Sequence, residues 1–299
     1  MVYFIVLFYK GHMQNEILFV ITTANHLPYT RNTVDSLRKT VSYPKLDILV
    51  IDDASTDGTE GYCRTNGIRC ITKEKPQGLT DSWNRAYGEF EKNPHYRLLF
   101  IVNNDILIPE GALEPLIESL GRHIIVGPIT SLHGAGHQPL QAMEAYYDCP
   151  IDIANPRNYQ QVQDWVKSHC TQPEKSLPFI NGYFFGMNRK VLAYRLREGI
   201  LFNPSYTNIH NESELCKRIP EEKVCRTDAF IYHFKGVSFS AYRDEFGNFV
   251  IPRNLTWTSA TFIRKHPLLF RLFAWPPRTK QLVKRLLLKI GINVSRNGR

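Results

Sequence analysis

Continuous apolar runs, separated by polar segments with helical spacing, organise the first hundred residues of this chain. Ile17-Leu18-Phe19-Val20-Ile21 is apolar at every position, as in a strand covered on both faces. The polar turn Thr22-Thr23-Ala24-Asn25-His26 follows. A helix is then predicted from about Pro28 to Thr40, with proline in the first turn, where its missing N–H is harmless. A second buried strand, Leu46-Asp47-Ile48-Leu49-Val50-Ile51, runs into Asp52-Asp53-Ala54-Ser55-Thr56-Asp57-Gly58, and another helix comes next. Ile68 to Ile71 reads as a short third strand and Gly78 to Phe90 as a helix. Leu98-Leu99-Phe100-Ile101-Val102 is a fourth buried strand that ends at Asn103-Asn104-Asp105. Alternation of this kind predicts an α/β domain whose parallel strands are joined by right-handed crossovers. Ligands of such sheets bind beyond the carboxyl ends of the strands. The polar clusters around Asn25, Asp52 and Asn104 all fall at such ends.

Beyond Asp105 the alternation loosens. The pattern predicts a helix near Gly111 to Leu120 and a strand near Ile124 to Gly127. Ser131 to Lys175 is a long polar stretch, and Phe179 to Met187 is apolar and punctuated by glycine. A helix is expected after Asn211 and a strand over Ala229 to Tyr232. The chain has 299 residues, 43% hydrophobic and 22% charged, which suits a soluble globular protein with a large core.

Charge changes the picture only once it is located. Of the 37 Lys and Arg residues, eleven lie from Phe246 onward, where there is no Asp or Glu, so the formal +9 belongs to the tail. Within that tail Leu282, Val283, Leu286, Leu287 and Ile290 recur at helical spacing, with Lys280, Lys284, Arg285 and Lys289 largely opposite them. A basic amphipathic helix of this kind either lies on an anionic membrane surface or packs against the body or a second subunit. Basic residues with interleaved aromatics are confined to the tail, so nucleic acid is not an expected partner. The opening MVYFIVLFYKGH is shorter than the ~20 apolar residues of a membrane span, and it lacks the charged start and cleavage site of a signal peptide. An edge strand, or a usual start at Met13, accounts for it. Six scattered cysteines without CxxC spacing read as reduced thiols of a cytoplasmic protein. Sequons begin at Asn211, Asn254 and Asn293 and would matter only in a secretory compartment.

Two clusters carry the chemistry. Asp52-Asp53 at a strand end offers carboxylates to the imide N–H of a uracil-like base or to ribose hydroxyls, while Ser55, Thr56 and Asp57 either join that contact or cap the next helix. In Asn103-Asn104-Asp105 a carboxylate is available to Mg²⁺ or Mn²⁺ beside substrate phosphates, with amides for ribose or water. A bland turn after a strand is the alternative. No G-x-G-x-x-G follows the first strand, which argues against a dinucleotide-dependent oxidoreductase. The absence of a Gly-rich phosphate loop also argues against a nucleotidyltransferase.

The order and spacing of these blocks resemble family 2 glycosyltransferases over residues 16 to about 240. I-D-D-A-S-T-D-G-T at 51–59 is similar to that family's V-D-D-G-S-x-D-G-T, and G-L-T-D-S-W-N-R-A at 78–86 to its G-x-x-x-x-x-N-x-G/A helix. N-N-D resembles its D-x-D metal motif, and F-I-N-G-Y-F-F-G-M-N-R at 179–189 its G-x-x-x-x-x-R segment on the acceptor side. N-E-S-E-L-C-K-R at 211–218 resembles E-D-x-D-L-x-x-R, and Y-H-F-K-G-V-S at 232–238 resembles H-x-x-G-x-S. The resemblance implies a GT-A fold, that is, a Rossmann-like, mixed but mainly parallel sheet flanked by helices. Residues 16–120 would form its nucleotide-sugar half and 121–245 its acceptor and catalytic half, between an apolar extension at 1–15 and the basic tail at 246–299.

The same resemblance implies inverting transfer from a UDP-, GDP- or dTDP-sugar to a glycan or lipid-linked acceptor, assisted by Mn²⁺ or Mg²⁺. Thr23, Asn25, Asp52, Asp53, Asn84, Asn103 and Asn104 would meet the nucleotide, Asp105 and His233 the metal, and Gly182, Tyr183 and Glu214 the sugars. Glu212 would be the general base, in preference to Glu214. Two departures stand out: Asn103 replaces the first Asp of the metal motif, and Glu212 replaces the usual catalytic Asp. They leave room for a catalytically silent relative that only binds sugar or nucleotide.

Overall fold

The computed structural model describes residues 16–40, 46–131, 138–140, 143, 146, 148–206, 208 and 210–234. All of these lie in the larger of two compact units, which ends at Trp257. The apolar extension, the amphipathic stretch 279–290 and the sequons at Asn254 and Asn293 lie outside the described residues.

Alternation in the first half becomes β1 (Ile17–Thr23), α1 (Leu27–Thr40), β2 (Leu46–Asp52), α2 (Thr59–Thr65), β3 (Arg69–Thr72), α3 (Leu79–Lys92) and β4 (Leu98–Asn103). The second half adds β5 (Ile106–Leu107), α4 (Leu113–Leu120), β6 (Ile125–Thr130), α5 (Tyr159–His169), β7 (Glu174–Leu177), β8 (Phe184–Asn188), α6 (Asn211–Arg218) and β9 (Lys223–His233). The sheet runs β3-β2-β1-β4-β8-β6-β9-β5, and β7 is added on β9. Strands β3, β2, β1 and β4 are mutually parallel, whereas β8 runs antiparallel to β4 and to β6. Helices cover both faces, and each face closes its own core. One is centred on Trp83, Phe185 and Phe202, the other on Phe19, Phe100 and Phe184.

Two elements within the polar stretch 131–175, α5 and β7, go beyond the sequence expectation. Helix α5 buries only Val162, Gln163 and Val166, too narrow a stripe for its period to stand out. Strand β9 begins at Lys223, six residues before the expected Ala229, because its charges are neutralised. Arg226 is buried and paired with Asp228 at 2.7 Å and Glu174 at 3.4 Å. A buried cation needs such partners, and hydropathy alone does not reveal them.

Parallel register aligns the carboxyl ends that form the site. Thr23 lies opposite Asp52, and Thr22 opposite Asn103. Beyond β4 the chain is held by side chains of α1 as well as by its short pairing with β9. Thr33 Oγ1 lies 2.7 Å from the Asn104 carbonyl and 2.9 Å from that of Ile106. Ser36 Oγ accepts from the Ile108 amide at 3.1 Å, and Thr40 Oγ1 donates to the Ile108 carbonyl at 2.8 Å. The buried Asn104 amide completes the join. Its Nδ2 reaches Thr23 Oγ1 at 3.0 Å, Thr30 Oγ1 at 3.1 Å and the Asn25 carbonyl at 3.3 Å.

Asn104→Ala removes the shared donor of two buried hydroxyls and a half-buried carbonyl, so unfolding stability is expected to drop by about 3 kcal/mol. Urea denaturation of the full chain measures it; a loss below about 1 kcal/mol would mean that these oxygens find other donors.

Candidate functional site

At the end of β1, two successive residues, Asn25 and His26, take positive φ of 61° and 63°. Left-handed backbone is costly for residues with a Cβ, though Asn and His are among those that tolerate it best. It turns the Asn25 side chain toward the loop after β2, where Oδ1 accepts from the Thr56 amide at 2.9 Å and the Asn25 amide donates to Ser55 Oγ at 2.6 Å. Asp57 fastens the same loop by accepting from the Leu27 amide at 2.7 Å and from Thr59 Oγ1 at 2.6 Å. The Ser/Thr/Asp cluster therefore joins the first two loops as well as starting α2.

Asp52 and Asp53 are treated very differently. Asp52 is fully buried; Oδ1 accepts from the Ser55 amide at 3.1 Å and from the Ser55 hydroxyl, while Oδ2 has no partner among the described residues. Burial pushes its pKa up against the two Ser55 hydrogen bonds. Asp53 is saturated by the Gln77 amide at 2.8 Å, the Gly78 amide at 2.9 Å and Lys73 Nζ at 2.9 Å. Lys73, which sequence reasoning did not single out, is a buried ammonium that also meets Asp81 at 2.9 Å and the Gly78 carbonyl at 3.1 Å. Its partners come from two stretches of chain, Asp53 after β2 and Gly78 with Asp81 at the start of α3, so no single motif announces it.

Strand pairing assembles the expected metal pair. β9 runs antiparallel to β5 with His233 opposite Ile106, which brings His233 Nε2 to 3.3 Å from Asp105 Oδ1. Both residues are buried, and Asp105 Oδ1 and His233 Nδ1 lack hydrogen-bond partners among the described residues. Two donors roughly 3 Å apart suit neighbouring ligands of one octahedral cation with bonds of roughly 2.1 Å. No group of three or more His, Cys, Asp or Glu able to hold a metal occurs among the described residues. The donor set therefore fits a cation that takes its other ligands from phosphates and water.

The expected sugar-side residues separate into contacts and supports. Tyr183 does not face an open subsite. It is 1% exposed, its hydroxyl donates to the Pro128 carbonyl at 2.9 Å, and its ring stacks on His233 with centroids 4.9 Å apart. Gly182 is packed so closely on Trp83 that a Cβ there would come within 2.3 Å of the indole. Its backbone lies near enough to the Glu212 carboxylate to pull that group's pKa down. Glu214 is held by both Nε and Nη2 of Arg218, at 2.7 and 3.0 Å. Arg218 in turn binds the carbonyls of Tyr194 and Leu201, so Glu214 helps to order that loop. Among the described residues Glu212 has no cationic partner of this kind, and it keeps a partly exposed side chain. Burial nevertheless raises its carboxyl pKa, with the Gly182 amide and its own amide pulling the other way.

Among the expected nucleotide residues, Asn84 clamps the loop before α6. Its Nδ2 donates to the Phe202 carbonyl at 2.8 Å, and Oδ1 accepts from the amides of Leu201 and Phe202. Thr23 and Asn104 are likewise committed to the buried join described above. Asn103 is partly exposed at the strand end, where its amide donates to the Tyr183 carbonyl at 2.9 Å. Asn211 is fully buried, so that sequon is no glycosylation acceptor. All six cysteines are free thiols.

Solved structures with the same fold include the mannosyltransferase PcManGT from Pyrobaculum calidifontis in complex with GDP-Man and Mn²⁺. It is 16% identical to this chain, with TM-score 0.50, covering 74% of this chain and 57% of that one. GalNAc-T7 with UDP, GalNAc and Mn²⁺ is 16% identical, with TM-score 0.51, covering 75% of this chain and 44% of that one. Residues 1–349 of TarS from S. aureus are 15% identical, with TM-score 0.50, covering 76% and 62%. The chain thus matches about half of the length of these proteins. No curated protein matches it by sequence. Residues 18–194, more than half of the chain, match the family model described as Glycosyl transferase family 2, and the chain belongs to that family, with the GT-A fold.

Proposed function

We propose that this protein transfers a sugar from a nucleotide-sugar donor to an acceptor hydroxyl with inversion at the anomeric carbon, Glu212 acting as the base. One observation carries the proposal: consecutive residues Gly182 and Tyr183 touch, respectively, the Glu212 carboxylate and the His233 ring. A base and a two-ligand cation site thus flank a single short segment at the carboxyl end of the sheet.

In this reading Asp105 and His233 hold Mn²⁺ or Mg²⁺ together with the donor diphosphate. The cation supplies Lewis-acid neutralisation of the leaving diphosphate. The complexes of similar structures with GDP-Man or with UDP and GalNAc, each with Mn²⁺, support a purine or pyrimidine diphosphate donor and a divalent cation. Asp52, Asn25 and Asn103 border the nucleotide end of the site. Glu212 accepts the proton of the acceptor hydroxyl as that oxygen attacks from the face opposite the leaving group. Its raised pKa makes it a stronger base than an exposed carboxylate, and such help is worth about 10²–10⁴-fold. The acceptor is a glycan or a lipid-linked hydroxyl. No helix among the described residues is long and apolar enough to cross a membrane, and contact of residues 279–290 with a lipid surface is part of the proposal.

Screening UDP-, GDP- and dTDP-sugars with Mn²⁺ or Mg²⁺ is expected to give metal-dependent nucleotide release from one donor. Glu212→Gln should lower it by about 10²–10⁴-fold while nucleotide affinity holds. Binding without release in the wild type, with acceptor glycans present, would point instead to a silent sugar-binding relative. Unchanged turnover in Glu212→Gln would remove Glu212 from the reaction.

A raised folded-state pKa also has a stability consequence with a definite sign. The protonated form is the better-folded one, so its contribution is complete below the ordinary glutamate range and is lost as pH rises through the folded pKa. Glu212→Gln should therefore melt higher than wild type at neutral and alkaline pH, with the gap closing in acid. Thermal melts across pH read this directly, and a variant less stable at neutral pH would contradict it.

A further inference from the structure

We propose that Asn211, tied to Thr80 on α3, is the positioning residue for Glu212; the inference rests on the base assignment above. Asn211 is 0% exposed and opens α6, next to a residue, His210, held at φ 66°. Its Oδ1 accepts from the Glu212 amide at 3.2 Å, and its Nδ2 donates to Thr80 Oγ1 at 3.0 Å. Thr80 Oγ1 in turn donates to the Tyr206 carbonyl, and one residue earlier the Leu79 amide donates to Asn208 Oδ1 at 3.0 Å. The first turn of α3 is thus joined to the segment 206–211 by three polar contacts, from Thr80 to Tyr206, from Leu79 to Asn208 and from Asn211 to Thr80.

That turn is itself fixed from the nucleotide end of the site. Asp53 holds the amides of Gln77 and Gly78, and Lys73 holds the Gly78 carbonyl. One turn further along α3, Trp83 packs against Gly182, whose backbone lies near the Glu212 carboxylate. Residues three apart share a helix face, so one face of α3 supports Glu212 from both sides, its backbone through Thr80 and Asn211, its carboxylate through Trp83 and Gly182. Side chains that hold a reacting group to within about half an ångström govern turnover more than substrate affinity.

Thr80→Val keeps the shape and removes the hydroxyl, whereas Thr80→Ser keeps the hydroxyl. In the full chain, Thr80→Val should lower kcat by about 10- to 100-fold with donor KM within about twofold, and Thr80→Ser should stay near wild type. A second readout does not depend on turnover: ¹³C NMR titration of the glutamate carboxyls, with Glu212 assigned by its absence in Glu212→Gln. Loosening should lower the Glu212 pKa toward the ordinary value in Thr80→Val and leave it in place in Thr80→Ser. Cys216, one turn along α6 and itself raised to about 11, is the titratable neighbour and is the same in all these chains. Thr80→Ala replaces the valine variant if the latter does not fold. Equal behaviour of the valine and serine variants in both readouts would overturn the proposal, as would a loss confined to donor KM. If wild type releases no nucleotide from any donor while the titration still separates valine from serine, the transferase reading fails and the positioning stands.

Discussion

Burying the Asn104 side-chain amide sets a condition that much of the site obeys. Its Nδ2 needs acceptors out of contact with water, and it takes them from the end of β1, from the turn after β1 and from α1. The stretch from Thr23 to Thr30 is thereby held to Asn104, 74 to 81 residues later, beside the carboxyl ends of the parallel strands. Every hydrogen bond in the group must form together, because a single missing partner leaves a buried polar atom costing about 1–3 kcal/mol. Asp105 is the next residue, so its direction follows from how its neighbour is tied down. Asn103, on the other side, is left partly exposed. Of three consecutive polar residues, only the middle one is wholly consumed by structure.

The central parallel strands β1 and β4 were legible because they are buried on both faces and therefore form nearly unbroken apolar runs. β1 and β4 kept nearly their expected bounds for that reason. Where burial depends on pairing, the signal vanished. Arg226 and Lys223 look like surface residues until Glu174, Asp228 and the Ile219 carbonyl are in view. The site was legible in its outline and less so in its details. The motif spacing picked out Glu212, Asp105 and His233, which have unfilled polar capacity or a raised pKa. It could not distinguish them from Asn84 and Tyr183, whose partners lie on other elements, or from Glu214, which is held by Arg218 of its own helix. Short motifs record which residues recur at a site; the hydrogen-bond partners decide which of those residues still have an atom to offer.

Glu212 and Glu214 make the distinction concrete, since both stand in the first turn of α6. The helix N-terminus favours negative charge on either. Glu214 adds a two-point contact with Arg218, whereas among the described residues Glu212 has only backbone groups to set against the cost of burial. Two carboxylates on one helical turn are thus given different surroundings by what packs against them. The same separation of environments marks acid–base sites in general.

Helix α1 shows what such a site asks of the chain before the protein is folded. It turns Thr33, Ser36 and Thr40 toward the residues after β4, and Thr30 toward Asn104. Threonine and serine are weak helix formers, partly because their hydroxyls compete for backbone hydrogen bonds. An isolated peptide with this sequence would have little reason to coil. Beyond a few bonds inside the helix, its hydroxyls find their further partners when a segment some 70 residues later in the chain arrives, as with the Thr33 contacts to residues 71 and 73 positions away. Local structure here waits on distant structure, which raises contact order and slows folding. A nascent chain halted before Asp105 would carry α1 as unfinished, exposed sequence, open to chaperones and proteases until the strand that completes it emerges.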